Sequence, residues 1–195
     1  MELIVFAFRG LSTIIFWATL AAAGLLFLRV FITWIGANPF GRITYNLTRI
    51  TEPLVRPLRN QVGGRSLRYD LMPLVLGVMI LFIGLFVSSM IWQLTDIFAG
   101  VANTALRGTL TFRYLLVNVI NLLGLLYVTA IFLRFFLPFF GIGYRSKFMM
   151  FIFRITEPLL KPLRRIFIFG MFDFSPLIAM LLVQVATGVL VGIMS

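Results

Sequence analysis

The chain contains no cysteine and no histidine, and only 6 of its 195 residues are acidic. The first two absences exclude disulfides, thiolate nucleophiles, zinc sites built on Cys or His, and imidazole ligation of haem by this subunit acting alone. Ser-His-Asp and Cys-His catalysis go with them. No catalytic, cofactor-binding or metal-ligating set remains to be named, so the expectation is a non-enzymatic protein without a cofactor. Charge of either sign is scarce: 12% of residues are charged and 61% hydrophobic, against about 25% and roughly 45–50% in soluble domains. Such a chain is suited to lipid rather than water.

What charge there is is lopsided, with 17 Lys and Arg giving a net +11. A basic soluble protein would first suggest nucleic acid. Here the cations lie between apolar runs, where they set topology and meet anionic head groups. The expected acidic partner is therefore membrane lipid, and no nucleic acid is expected.

A membrane-crossing helix needs about 20 mostly apolar residues. Four segments qualify, over about 11–35, 71–95, 114–140 and 174–195. The connection between the first two carries Arg42, Arg49, Arg56, Arg59, Arg65 and Arg68. That between the last two carries Arg145, Lys147, Arg154, Lys161, Arg164 and Arg165. The N-terminus offers only Arg9 against Glu2, and the central connection Arg107 and Arg113 against Asp96. The positive-inside rule then puts the two basic connections in the cytoplasm and both termini outside. Ala21-Ala22-Ala23 looks like a signal-peptide cleavage site, but apolar residues continue beyond it and no basic n-region precedes it. A retained span is expected.

The chain repeats itself. Arg49-Ile50-Thr51-Glu52-Pro53-Leu54 returns unchanged as Arg154-Ile155-Thr156-Glu157-Pro158-Leu159, followed in each case by Pro-Leu-Arg at 57–59 and 162–164. Leu28-Arg29 matches Leu133-Arg134, and Asp70 and Pro73 match Asp173 and Pro176. The expected architecture is all-α: four transmembrane helices as two parallel helix-loop-helix repeats, 1–105 and 106–195, with amphipathic interfacial helices in the cytoplasmic loops.

Within the first loop Ile43, Leu47 and Ile50 fall on one helical face, with Arg42, Asn46 and Arg49 opposite, as in a helix lying at the lipid boundary. The second loop, with Phe148 to Phe153 uninterruptedly apolar, is expected to lie deeper or against protein. Proline disfavours helical geometry in the residue before it, so Glu52 and Glu157 are expected to end these helices. Each Glu sits where a local ion pair with nearby cations can form. Ser175-Pro176 reads as an N-cap and first helical residue, with Asp173 adding charge near the helix dipole.

Arg29 and Arg134 interrupt apolar spans near their inner ends. Either they snorkel to the head groups, or they bind a lipid phosphate or a loop carboxylate such as Glu52 or Glu157. The candidate lipid or partner contacts are these two arginines with Arg49, Glu52, Arg59, Arg154, Glu157 and Arg164. Polar residues within spans (Ser88, Ser89, Gln93, Asn118, Asn121, Gln184, Thr187) are read as helix-to-helix hydrogen-bonding groups, and Gly188 with Gly192 as a GxxxG close approach or self-association face.

At the repeated Arg-Ile-Thr-Glu-Pro-Leu, the following Pro-Leu-Arg and Asp173-Phe174-Ser175-Pro176-Leu177, the chain resembles the YggT family of bacterial membrane proteins, also called YlmG, in its double-copy form. The first copy departs from the pattern at Leu71-Met72. The resemblance implies an inner-membrane protein tied to osmotic or extracytoplasmic stress tolerance and ion balance. Other members are tied to cell division or nucleoid distribution, and plastid relatives to haem attachment in a cytochrome complex. Three roles follow: a membrane factor contacting anionic lipid, a membrane protein partner or a second copy; a small oligomeric channel or transporter; and an assembly factor for a membrane complex.

Overall fold

The computed structural model describes residues 2–36, 41–62, 71–140, 146–169 and 172–194, with side chains described for all of these except 57–62, 139, 140, 168, 169 and 172. The described residues form six α-helices: α1 (Glu2–Trp34), α2 (Arg42–Val62), α3 (Met72–Leu106), α4 (Phe112–Phe136), α5 (Lys147–Phe167) and α6 (Ser175–Met194). A 3-10 turn (Leu137–Phe140) follows α4. A two-residue antiparallel pair, β1 (Ile168–Phe169) and β2 (Phe172–Asp173), joins α5 to α6. Four helices, α1, α3, α4 and α6, are long and apolar enough to cross a membrane. The protein is thus a four-span, all-α membrane protein. Its chain divides into two compact units, Met1–Thr95 and Asp96–Ser195.

The spans run further than their uncharged cores. α1 starts at Glu2, and α3 continues past Asp96 to Leu106, so that its 35 residues extend about 52 Å at 1.5 Å per residue. No proline interrupts α3 after Pro73, and it stops only where Gly108, at φ +65°, takes the left-handed conformation that closes a helix end. Gly36, at φ +73°, closes α1 in the same way, its N–H donating to the Thr33 carbonyl. Thr111 caps α4, its side chain accepting from the Tyr114 N–H.

In the first unit α1 meets α3 closely. Ser88 Oγ donates to the Ser12 carbonyl at 3.0 Å, and a Cβ placed on Gly84 would overlap the Thr19 side chain. In the second unit α4 lies along α6, and a Cβ on Gly124 would come within 2.5 Å of Thr187 Oγ1. Between helices in lipid, where no hydrophobic drive operates, small residues of this kind let backbones approach and gain dispersion contact. By contrast, a Cβ on Gly188 or Gly192 would meet nothing within 4 Å. Among the described residues the GxxxG pair is thus not the close approach between spans that the motif suggested.

The polar groups of the spans are mostly used locally. Asn118 Nδ2 donates to the Tyr114 carbonyl, Ser89 Oγ to Phe86 and Thr129 Oγ1 to Leu125, each on its own helix. Only Ser88, of the residues expected to bond from helix to helix, is seen doing so among the described residues.

Candidate functional site

The repeated hexapeptide lies in the middle of α2 and of α5, not at a helix end. Both helices run on through their prolines, Pro53 and Pro57 in one and Pro158 and Pro162 in the other. The expected helix ends at Glu52 and Glu157 are therefore corrected. A proline has no N–H to give to the carbonyl four residues earlier. Here the carbonyls released by Pro53 and Pro158 belong to Arg49 and Arg154, which are exposed, so water can satisfy them. What tertiary contact adds to each helix offsets the lost bonds.

That contact has two parts. One is a buried apolar stripe: Leu47 and Val55 in α2, and Met149, Ile152 and Leu160 in α5, each side chain contributing about 1.5–3 kcal/mol on full burial. The other is an arginine clamp. Arg29, from α1, donates through NH1 to Thr51 Oγ1 at 2.8 Å and through NH2 to Glu52 Oε2 at 2.8 Å. Arg134, from α4, repeats the arrangement: NH1 donates to Thr156 Oγ1 at 2.8 Å and NH2 to Glu157 Oε2. Each threonine hydroxyl also donates to its own helix, Thr51 to the Leu47 carbonyl at 2.7 Å and Thr156 to Ile152 at 2.8 Å. Its proton and an acceptor site are both used, which a valine could not supply. The loop-carboxylate reading of Arg29 and Arg134 is what the structure shows.

The hexapeptide is thus spread over several faces of one helix. Thr and Glu face the span and receive its arginine. Ile50 and Leu54, with Ile43, form an exposed apolar face in α2, as do Ile155, Phe148 and Phe151 in α5. Leu47, grouped by sequence with Ile43 and Ile50, turns inward. The first residue of the motif, Arg49 or Arg154, stands on a third face. Seven residues to either side lie Arg42 and Arg56, or Lys147 and Lys161, and all six cations are exposed. Seven residues is close to two helical turns, so each trio forms a basic line about 21 Å long. This line was readable in the sequence, since the cations coincide when the two copies are aligned, but Arg42, Arg56, Lys147 and Lys161 were not singled out as site residues.

In the second unit the clamp extends further. Arg164 Nε donates to Asp173 Oδ2 at 3.2 Å, and its NH1 lies 3.9 Å from Glu157 Oε1. Asp173 Oδ1 in turn accepts the Ser175 backbone N–H at 2.9 Å. The start of α6 is capped by Asp173, and the expected Ser175 cap is corrected: Ser175 Oγ is buried without a hydrogen-bond partner among the described residues. Arg134's hydrogen bond, with Arg164 and Lys161 nearby, holds the Glu157 carboxyl below its ordinary value of 4.5, against the opposing effect of burial. The side chain of Arg59, the first-copy counterpart of Arg164, and the whole of Asp70 lie outside the described residues.

The two clamps differ in their surroundings. The Arg134 side chain is 4% exposed and that of Arg29 11%. Over the Arg134 guanidinium, 3.8 Å from it, lies the Phe153 ring, in the favourable geometry of a cation above an aromatic face. The first-copy counterpart of Phe153 is Thr48. There the space beside Arg29 is an open cavity of about 890 Å³, bounded among others by Arg49, Glu52, Arg56, Thr44 and Thr48.

Compared with known proteins, the chain matches the family model described as CCB3/YggT twice, over residues 4–94 and 113–194. Neither the curated proteins nor the solved structures give a match. Each matched segment takes in a span, its clamped amphipathic helix and all or most of the returning span.

Proposed function

The chain belongs to the CCB3/YggT family, and from that premise we propose that it is a non-enzymatic factor of the bacterial inner membrane. It holds two amphipathic helices at the cytoplasmic surface, with their basic lines toward anionic lipid or a membrane protein partner, and in this way supports osmotic or ion homeostasis or tolerance of extracytoplasmic stress. Both termini lie outside the cytoplasm.

One observation carries this reading. The same arginine, largely withdrawn from solvent, fixes the amphipathic helix to its span in both copies, and leaves a line of three exposed cations on each. Holding a helix in this way is expensive, because a cation taken out of water must be compensated by well-placed partners. Such an arrangement makes sense where the orientation of the outer face matters. Cations near an anionic leaflet gain about 1 kcal/mol each, so three on a rigid helix define both depth and rotation. Within the spans the described side-chain hydroxyls largely bond to their own helices, which favours a surface role over a conducting path.

The test is photo-crosslinking in native membranes from a reactive residue placed at 49 or 154, followed by mass spectrometry. Adducts to anionic lipid or to one recurring membrane protein are expected from both positions. Their absence at both positions, in a protein that inserts normally, would overturn the reading.

A further inference from the structure

We propose that the first copy alone contains a binding pocket for one phosphate group, in the cavity beside Arg29. The inference rests on the reading above only in that it needs this side of the protein to face phosphates. Its own support is the difference between the copies.

Among the described residues three arginines, Arg29, Arg49 and Arg56, border the cavity and one carboxylate, Glu52, opposes them, so the described lining carries two net positive charges around a volume of about 890 Å³, within the usual range for small-ligand sites of about 300–1,000 Å³. Arg29 is committed to Thr51 and Glu52. Arg49 and Arg56 make no ion pair among the described residues, and they reach the cavity from successive positions of one rigid helix. Thr44 and Thr48 add hydroxyls able to donate to phosphate oxygens, in the way that bidentate arginine and neutral donors combine at phosphate sites.

The second copy keeps the charges and sets larger side chains beside its arginine. At the positions of Arg49 and Arg56 it has Arg154 and Lys161, but Thr44 is replaced by Met149 and Thr48 by Phe153. Met149 is fully buried and Phe153 covers the arginine. An exposed basic line is thus common to both copies, whereas the two positions that border a chamber in the first hold Met149 and Phe153 in the second. A phosphate ester that only touched the surface would not distinguish them. A lipid head group and free phosphate offer the same chemistry to this chamber.

The experiment uses the purified full-length protein with vesicles of phosphatidylglycerol or of phosphatidylcholine, and separately with inorganic phosphate, read by native mass spectrometry and by thermal unfolding. Wild-type protein is expected to retain phosphatidylglycerol in preference to phosphatidylcholine. If inorganic phosphate competes for that site and raises the unfolding temperature, the source is free phosphate; if only the vesicle lipid does so, it is the head group. The double substitution Thr44→Met with Thr48→Phe, which builds the second copy's filling into the first without touching a charge, is expected to weaken binding at least about tenfold. Arg49→Gln with Arg56→Gln should weaken it about fivefold per arginine, and shows the dependence on charge even if the filled variant does not fold. Unchanged binding in a folded filled variant would overturn the pocket. If binding then fell on loss of Arg49 and Arg56 alone, the basic-face reading would stand without it. Wild-type binding in the arginine variant would overturn the pocket as well.

Discussion

The two copies of the repeat reach one clamp through different surroundings, and they reverse one contact between spans. In the first copy Thr19 on the leading span packs against Gly84 on the returning one. In the second, Gly124 leads and Thr187 returns. Aligned by their repeats, Thr19 corresponds to Gly124 and Gly84 to Thr187, so threonine and glycine have exchanged helices. What is kept is the summed size of the pair at the crossing, and not the residue at either position. The clamp behaves oppositely. Arg, Thr and Glu stay in place in both copies, because a buried guanidinium needs a specific acceptor geometry and packing needs only volume.

The largest effect should come from removing the acceptor of the more buried arginine. Glu157→Gln takes the carboxylate, itself 42% exposed, from an Arg134 side chain that is 4% exposed, and is expected to cost about 2–3 kcal/mol. Glu52→Gln should cost less, about 1–2 kcal/mol, because Arg29 is more exposed and borders an open cavity that water can enter. Unfolding in detergent, followed by circular dichroism, measures both. Equal losses would erase the distinction between the two sites.

A smaller effect tests the reversed crossing. Gly84→Ala should cost about 1–3 kcal/mol through overpacking against Thr19, and adding Thr19→Gly should recover much of it, as coupled neighbours do. The mirrored pair, Gly124→Ala with Thr187→Gly, should behave alike. Independent effects in the double variants would show that the two residues do not share the crossing.

Smallest is a pH effect at the second clamp. Because Arg134 holds the Glu157 carboxyl below 4.5 in the folded protein, this group contributes stability that is fully present above 4.5 and is lost as pH falls through the lowered folded value. Thermal stability should therefore decline on acidification below about pH 4.5, and Glu157→Gln should flatten that part of the profile. A profile unchanged by the substitution would remove Glu157 from the acid response.

Much of this was legible in the sequence. Four uncharged runs marked the spans, and the hexapeptide repeated at 49–54 and 154–159 marked the two copies. The pairing of Arg29 and Arg134 with loop carboxylates was one of two readings their position allowed. The continuation of α2 and α5 through their prolines was not legible, since the local preference against helix before proline is outweighed by a tertiary contact, the clamp itself. The Ser175 cap failed for a related reason: Asp173, two residues earlier, accepts the backbone N–H first. The cavity beside Arg29 arises from Thr44 and Thr48 being small where Met149 and Phe153 are large, a difference that acquires meaning only once those positions are known to surround an arginine.

The clamp is tested most directly by a double-mutant cycle on Arg134 and Glu157, with Arg134→Met, Glu157→Gln and both together compared by unfolding in detergent. The expected result is strong coupling, with the double variant more stable than Glu157→Gln alone because no buried charge is left unpaired. Losses that simply add, with the double variant the least stable of the three, would contradict a clamp between these two side chains.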